Sequence, residues 1–462
     1  MQNKQSIIEI NQNYKDTFKS MSEKVLLSDK FDPELYEKYN VKRGLRNQDG
    51  TGVLVGLTSI GDVRAYIMEE NEKVPIDGKL VYRGMDVRKL VEGTQRRDAF
   101  GFEETVYLLL TGMLPTQSEL DEFNRMLGDY RKLPEGFAED MIMKAPSPNI
   151  MNKLARCVLA SYSYDENPDD LSFDNVLRQC IMLIAQLPTM AAYAYRTKRH
   201  YYDDKSLYIH NPKNNLSTSE NFLQMIRADS KYTKLEAEML DLALVLHAEH
   251  GGGNNSTFAV HVVSSSGTDT YSAMATAIGA LKGPKHGGAN LKVMDMIDDM
   301  KKYVTDKKSE KQIEDYLIKV LNKEVNDGSG LIYGIGHAVY TISDPRAILL
   351  KNKAEELADS LGGEWKEEFE FYKRIEKVAP SVFDKFKHSS KSMCANVDFY
   401  SGLVYTMLNI PKELYTPIFA ISRIAGWSAH RLEELAVNNR IMRPAYKNVG
   451  KKKPYTELEQ RV

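Results

Sequence analysis

Three histidines stand beside glycine in otherwise apolar surroundings: His250 in LHAEHGGGNNSTF, His286 in LKGPKHGGAN and His337 in LIYGIGHAVY. An aspartate, Asp398, follows in the equally apolar NVDFYSGL. Glycine beside a functional side chain removes a β-carbon, so backbone and ligand can approach closely. Imidazoles exchange protons near neutral pH. A carboxylate set among Val397, Phe399 and Tyr400 has its pKa raised from about 4, which suits a general base. Arg346 in DPRA, Arg423 in SRIAGW and Arg443 in RIMRP add planar forks that grip carboxylates in a way lysine cannot. Together these types predict one distributed site for proton transfer on a small di- or tricarboxylate.

Each residue also has a plainer reading. His250, at a predicted helix C-terminus, either caps carbonyls or becomes a cationic donor favoured by the dipole, by up to about 1 kcal/mol. His286, between Pro284 and Gly287-Gly288, either presents one ring nitrogen to a carbonyl oxygen or bonds both to backbone. His337 follows Tyr333-Gly334-Ile335-Gly336, whose close glycines expose amides for a phosphate or an adenine edge. Asp344 reads as an N-cap with Pro345 at the first helical position, leaving Arg346 on the first turn, ordinarily exposed. Asp398 is a buried base or the cap of the helix that SGLVYTML begins. His247, Glu249 and His250 lack the HExxH order, and no CxxC or facial carboxylate pair accompanies them, so no metal is expected. His200, His210, His261, His388 and His430 read as surface or core residues.

The elements that must hold these groups read as helices. Thr116 with Glu119, Ser217 with Glu220 and Thr233 with Glu236 form capping boxes. Leu120, Phe123, Leu127 and Tyr130 recur at helical spacing. Leu235, Met239, Leu242 and Leu246 make a second stripe that His250 extends by one turn before Gly251, Gly252 and Gly253 stop the helix. Strand signals are confined to residues 53–60 and 79–82, with Asp77-Gly78 as a hairpin-type turn. That predicts a small sheet and no central one. Without GxGxxG or GxxxxGK, Rossmann and P-loop readings fail.

A chain of 462 residues holds two or three domains, or one large domain with a smaller lobe. A net charge of -2 supplies no global field for nucleic acid or an anionic membrane, so attraction for anions must be local. Cys157, Cys180 and Cys394 are odd in number and outside any CxxC, which predicts reduced thiols in a cytosol-like compartment. The first residues carry Glu9 and Asp16 and no apolar core, unlike a secretory signal or transit peptide. No run approaches the roughly 18 apolar residues of a membrane span. A cytoplasmic protein is expected.

In order along the chain, these segments resemble the citrate synthase family. HAEHGGGNNSTF is similar to its HAEHxxNASTF segment, GPKHGGAN to GPxHGGAN, and YGIGHAVYTISDPRA to GxGHxVYxxxDPRA. NVDFYSG resembles the family's aspartate motif, and IAGWSAHRLEE and RIMRPAY its closing pair. RGMDVRKLVE and FEETVYLLLTGMLP extend the likeness towards the N-terminus.

The resemblance implies an all-α fold with a small N-terminal β element. A large helical domain (residues 1–286 and 402–462) and a smaller one (287–401) would flank an active-site cleft. It implies condensation of acetyl-CoA with oxaloacetate, then hydrolysis of citryl-CoA, without a cofactor because acetyl-CoA is a substrate. Asp398 would take a proton from the acetyl methyl group, and His286 would stabilise the enol or enolate. His337 would polarise and protonate the oxaloacetate ketone. His250, Arg346 and Arg423 would grip carboxylates, with Arg443 reaching over from a second subunit of a homodimer. Leu331, Ile332, Tyr333, Gly334, Ile335 and Gly336 would receive the adenine of CoA. The alternative is 2-methylcitrate synthase, which uses propionyl-CoA with the same residues; one methylene is worth only about 1–3 kcal/mol. A metal-dependent hydrolase using His247 and His250, and a non-catalytic CoA- or citrate-binding relative, are rivals from other classes. The glycine triplet after His250 departs from the family pattern at the pocket wall.

Overall fold

The computed structural model describes residues 11–28, 31–47, 49–70, 72–337, 339–387, 393–437 and 440–461; His388 lies outside them. The chain divides into two units, Met1–Leu57 with Arg443–Val462, and Thr58–Met442. The first carries the helices Lys15–Ser28 and Glu34–Lys38, and its C-terminal part holds the exposed Arg443.

The second unit is helical apart from one antiparallel sheet, ordered β1 (Gly61–Glu69), β2 (Glu72–Tyr82) and β3 (Met85–Asp86). The small sheet is where it was expected in the chain, and residues 79–82 fall within β2, but the rest of its strands differ. Residues 53–60 form no strand, and Asp77-Gly78 lies inside β2. Glu69 pairs with Glu72, and Glu70 between them takes φ 50°. Gly78 serves close approach instead of a turn: a β-carbon there would meet the Ser343 carbonyl oxygen at 2.1 Å.

All three capping boxes form, each hydroxyl accepting from the third residue's amide and each glutamate reaching back. The site is carried by α1 (Lys234–His247), α2 (Asn255–Ser264), α3 (Pro345–Leu361), α4 (Val397–Met407) and α5 (Tyr415–Val437). Helix α5 is buried nearly all round, with Ile418, Ile421, Ile424, Trp427 and Leu432 in the core, so it serves as the axis on which other helices pack. Helix α1 stops at His247, one turn short of His250. The Tyr82 hydroxyl at the end of β2 donates among the carbonyls of Val245, Leu246 and Glu249 at 3.0, 3.4 and 3.2 Å. It thereby satisfies helix-end acceptors without a further turn. Gly251, at φ 83°, then turns the chain towards α2.

Candidate active site

Two aromatic rings organise the predicted residues. Tyr340 stacks on His337 (centroids 4.7 Å apart, planes at 27°), and His250 stands edge-on to both, 5.2 Å from His337 and 5.8 Å from Tyr340. The Arg346 guanidinium lies 5.6 Å from the same tyrosine ring. Phe419, on α5, gathers His247 at 4.8 Å, His286 at 6.2 Å and the Arg423 guanidinium at 4.7 Å. The groups are electrostatically one site, because the charges of Arg346 and Arg423 both act on His250 and on Asp398.

Hydrogen bonds assign the imidazole tautomers. His337 Nδ1 accepts from the amides of Val339 and Tyr340, both at 3.1 Å, so a neutral ring carries its proton on Nε2. His286 Nε2 accepts from the Ser256 amide at 3.4 Å and lies 2.9 Å from the Ser256 hydroxyl, which receives the Trp427 Nε1 proton at 3.1 Å. That places the His286 proton on Nδ1. Burial, with a neighbouring arginine in each case, lowers the pKa of His337 and of His286 to about 4. Both rings are therefore uncharged donors at neutral pH.

Asp398 sits near the start of α4, yet Asn396 is the cap: its side chain accepts from the Asp398 amide at 3.0 Å. The Asp398 carboxylate is thus free of capping, and burial pushes its pKa up to about 6 against the pull of Arg346. Asn396 also donates to the Gly336 carbonyl at 2.8 Å, and an antiparallel bridge joins Ile335 to Ala395. This stitch registers the His337 loop against Asp398.

The arginines are held differently. Arg346 is 4% exposed, not solvent-facing as its position on a first turn predicts, because Asp344 takes it in a fork of 3.0 and 2.8 Å. Burial works against its charge, but Asp344 overrides that and holds its pKa above the ordinary value. Arg423 is fully buried and donates Nε to the His247 carbonyl at 2.7 Å, while Nη1 has no partner. Burial lowers its pKa to about 10 despite Glu249 nearby. His247 Nδ1 and His250 Nε2 are likewise buried without partners. Burial and Arg346 hold the pKa of His250 well below its usual value, so the ring is neutral, which removes the cationic one of its two sequence readings. An unpartnered guanidinium N–H with unpartnered imidazole nitrogens beside it is what an anion with several oxygens would satisfy. A wider recess lined by Arg97, Arg125 and Arg131 offers no such demand: Arg131 already donates to the carbonyls of Lys213, Asn214 and Leu216.

Within the loop expected to meet adenine, Leu331 is exposed while Ile332, Gly334 and Ile335 are buried, and Tyr333 and Gly336 are half-buried. The Gly336 amide is occupied by the Cys394 carbonyl at 2.7 Å. Asp344 caps α3 as expected, but its second task, gripping Arg346 and the Val397 amide, has no local signature in the sequence. The same holds for Asn396, Ser256 and Trp427. Among the described residues, no group of three or more His, Cys, Asp or Glu side chains could hold a metal ion.

A family model described as citrate synthase, C-terminal domain, matches residues 49–445. The chain is 37% identical over 391 residues to a citrate synthase of Haloferax volcanii, covering 83% of this chain and 93% of the relative. It is 35% identical over 390 residues to a citrate synthase of a Synechocystis strain (84% and 89% covered). A 2-methylcitrate synthase of Shewanella oneidensis is 31% identical over 373 residues (80% and 88%). Among solved structures, the citrate synthase of Pyrobaculum aerophilum superposes with a TM-score of 0.71 at 32% identity, covering 88% of this chain and 94% of that one. The Thermoplasma acidophilum citrate synthase, solved with carboxymethyl coenzyme A and oxaloacetate, gives 0.73 at 25% identity (91% and 99%).

Proposed function

Because the chain belongs to the citrate synthase family, an enzyme family of the citrate (Si)-synthase type of transferase, we propose that it condenses acetyl-CoA with oxaloacetate and hydrolyses citryl-CoA. The observation that carries this reading is the pairing of a carboxylate of raised pKa with two neutral imidazoles of assigned tautomer. A carbon acid is deprotonated only if its base is desolvated and the developing oxyanion meets donors already in place. Asp398 removes the methyl proton, and His286 Nδ1–H meets the thioester oxygen. His337 Nε2–H polarises the ketone and protonates it as the carbon–carbon bond forms. The oxaloacetate carboxylates take up the free valences of Arg423, His250 and Arg346, with Arg443 supplied by a second copy in a homodimer. CoA lies along residues 331–336.

The division at residues 287–401 belongs to the same proposal. His337, Arg346 and Asp398 come from that segment and His250, His286 and Arg423 from outside it, so closure would complete the site and exclude water. No helix among the described residues is long and apolar enough to cross a membrane. We assign the enzyme to the cytoplasm, in keeping with its bacterial and archaeal relatives.

The test is thiol release on mixing the protein with oxaloacetate and acetyl-CoA, with propionyl-CoA in parallel. Oxaloacetate-dependent release with acetyl-CoA is the expected result; no release with either acyl-CoA from folded protein would sink the reading. The Shewanella relative gives the propionyl-CoA reading specific support, and a preference for propionyl-CoA would favour it. A pH profile adds a second check. The base must be ionised, so kcat/KM should hold above the Asp398 pKa of about 6 and fall tenfold per unit below it. A profile flat from pH 7.5 down to 4.5 would exclude Asp398 as the base.

A further inference from the structure

Beneath the turn that carries His250 lies a line of four buried ionisable side chains that the proposed chemistry does not use. Glu434 Oε2 lies 2.8 Å from His261 Nδ1, His261 Nε2 lies 3.1 Å from His430 Nδ1, and His430 Nε2 lies 3.0 Å from Glu249 Oε1. Glu249 and His430 are fully buried, Glu434 is 4% exposed and His261 9%. We propose that these four residues form a relay that holds one proton beyond those of two neutral imidazoles, and that this proton keeps His250 and Arg423 positioned for the dicarboxylate.

The proton count follows from the geometry. Each of the three contacts joins two nitrogens, or a nitrogen and an oxygen, at hydrogen-bond distance, so each needs one proton between its atoms. Two neutral imidazoles supply two. If His261 donates Nδ1–H to Glu434, it accepts from His430 Nδ1–H. The bare His430 Nε2 then faces a bare Glu249 oxygen at 3.0 Å. Reversing the direction moves the same conflict to Glu434. One further proton removes it, on a ring or on a carboxyl, and the line then carries a single net negative charge.

Its surroundings tie that proton to the site. Glu249 lies between His247 and His250, its Oε1 also accepts the Gly251 amide, and its charge acts on the buried Arg423. Gly61 and Gly426 leave the space it occupies: β-carbons there would sit 2.7 and 2.3 Å from its side chain. Gly252, from the triplet that departs from the family pattern, lies over the His261–His430 pair. The other groups facing the line are Tyr82, Arg83 and Glu433. Glu433 Oε2 stays 3.8 Å from His430 Nδ1, while its Oε1 is held by the Ser59 amide and hydroxyl at 2.7 and 2.9 Å. Loss of the relay proton sets a lone pair against a carboxylate, displaces Glu249, and moves the His250 turn and the counter-charge of Arg423 together. Glu249, His430, His261 and Glu434 are thus positioning residues.

The test combines nuclear magnetic resonance of ring-labelled histidine in the full-length protein with kinetics, using Glu434→Gln as the informative variant. A glutamine amide donates to His261 Nδ1, so the variant completes all three hydrogen bonds with no extra proton. Wild type should show three titratable protons shared along the line at pH 7, and Glu434→Gln two, its third contact being filled by the glutamine amide. The wild-type KM for oxaloacetate should rise about tenfold per pH unit once the proton is lost on the alkaline side, while kcat holds. In Glu434→Gln the KM should be flat. Two protons in wild type, a count that needs no variant, would overturn the relay, and identical KM profiles would overturn its positioning role. That role rests on the oxaloacetate reading, whereas the count does not. Three protons in a protein inactive towards both acyl-CoA substrates would therefore uphold the relay and overturn the substrate assignment.

Discussion

Replacing Asp398 by asparagine is expected to lower kcat for thiol release by about 10²–10⁴-fold and, unusually for a loss of function, to raise the melting temperature at pH 8. Both effects come from one cause. Burial drives the Asp398 pKa from 3.8 to about 6, so the folded protein disfavours the ionised form that the proposed chemistry needs. A carboxylate whose folded pKa exceeds its unfolded value supports stability fully below the unfolded pKa and loses that support as pH rises through the folded one. For Asp398 the window runs from about pH 4 to pH 6, and the shift is worth at most about 3 kcal/mol. Asparagine does not ionise, so the variant should escape this loss while having no base. Thermal melts at pH 4.5 and 8 beside steady-state rates would decide the matter. Wild type should approach the variant's stability at the acid end and fall behind it at the alkaline end. A variant that keeps its rate, or that melts lower at both pH values, would mean that Asp398 is a structural carboxylate.

The contrast between Asp398 and Asn396 shows what sequence reading can reach. Local signals were legible: the three capping boxes, the Asp344–Pro345 start of α3, and the glycine-flanked histidines each depend on residues within a turn of one another. The candidate site residues could be singled out for the same reason, since each sits in its own short motif. Ties between distant segments were not. Tyr82 ends α1 across 163 residues, and no local pattern announces it. His261 and His430, dismissed one by one as surface or core residues, gain meaning only as partners 169 residues apart. Residues 79–82 lie in β2 as expected, but its start reads too late because Gly78 looks like a turn residue, whereas its missing β-carbon admits the Ser343 backbone.

Asp344 carries this distinction to its largest expected effect after Asp398. Its carboxylate accepts four N–H groups: the Arg346 amide at 3.0 Å, Arg346 Nε at 3.0 Å and Nη2 at 2.8 Å, and the Val397 amide at 3.2 Å. Three of these fix the start of α3 and the Arg346 guanidinium; the fourth holds the first residue of α4, next to Asp398. Asp344→Asn keeps one acceptor oxygen and sets an amide NH₂ against the guanidinium. Breaking a buried pair in this way costs about 3–5 kcal/mol, because the remaining charge stays buried without its partner. The denaturant midpoint should fall accordingly. In protein that remains folded, KM for oxaloacetate should rise through Arg346 and kcat should fall through Asp398. Arg346→Lys separates the two routes: it keeps a charge near Asp344 but loses the two-pronged grip. It should therefore raise KM while leaving most of kcat. If Asp344→Asn is as stable as wild type, or changes KM alone, the carboxylate does not couple the arginine to the base.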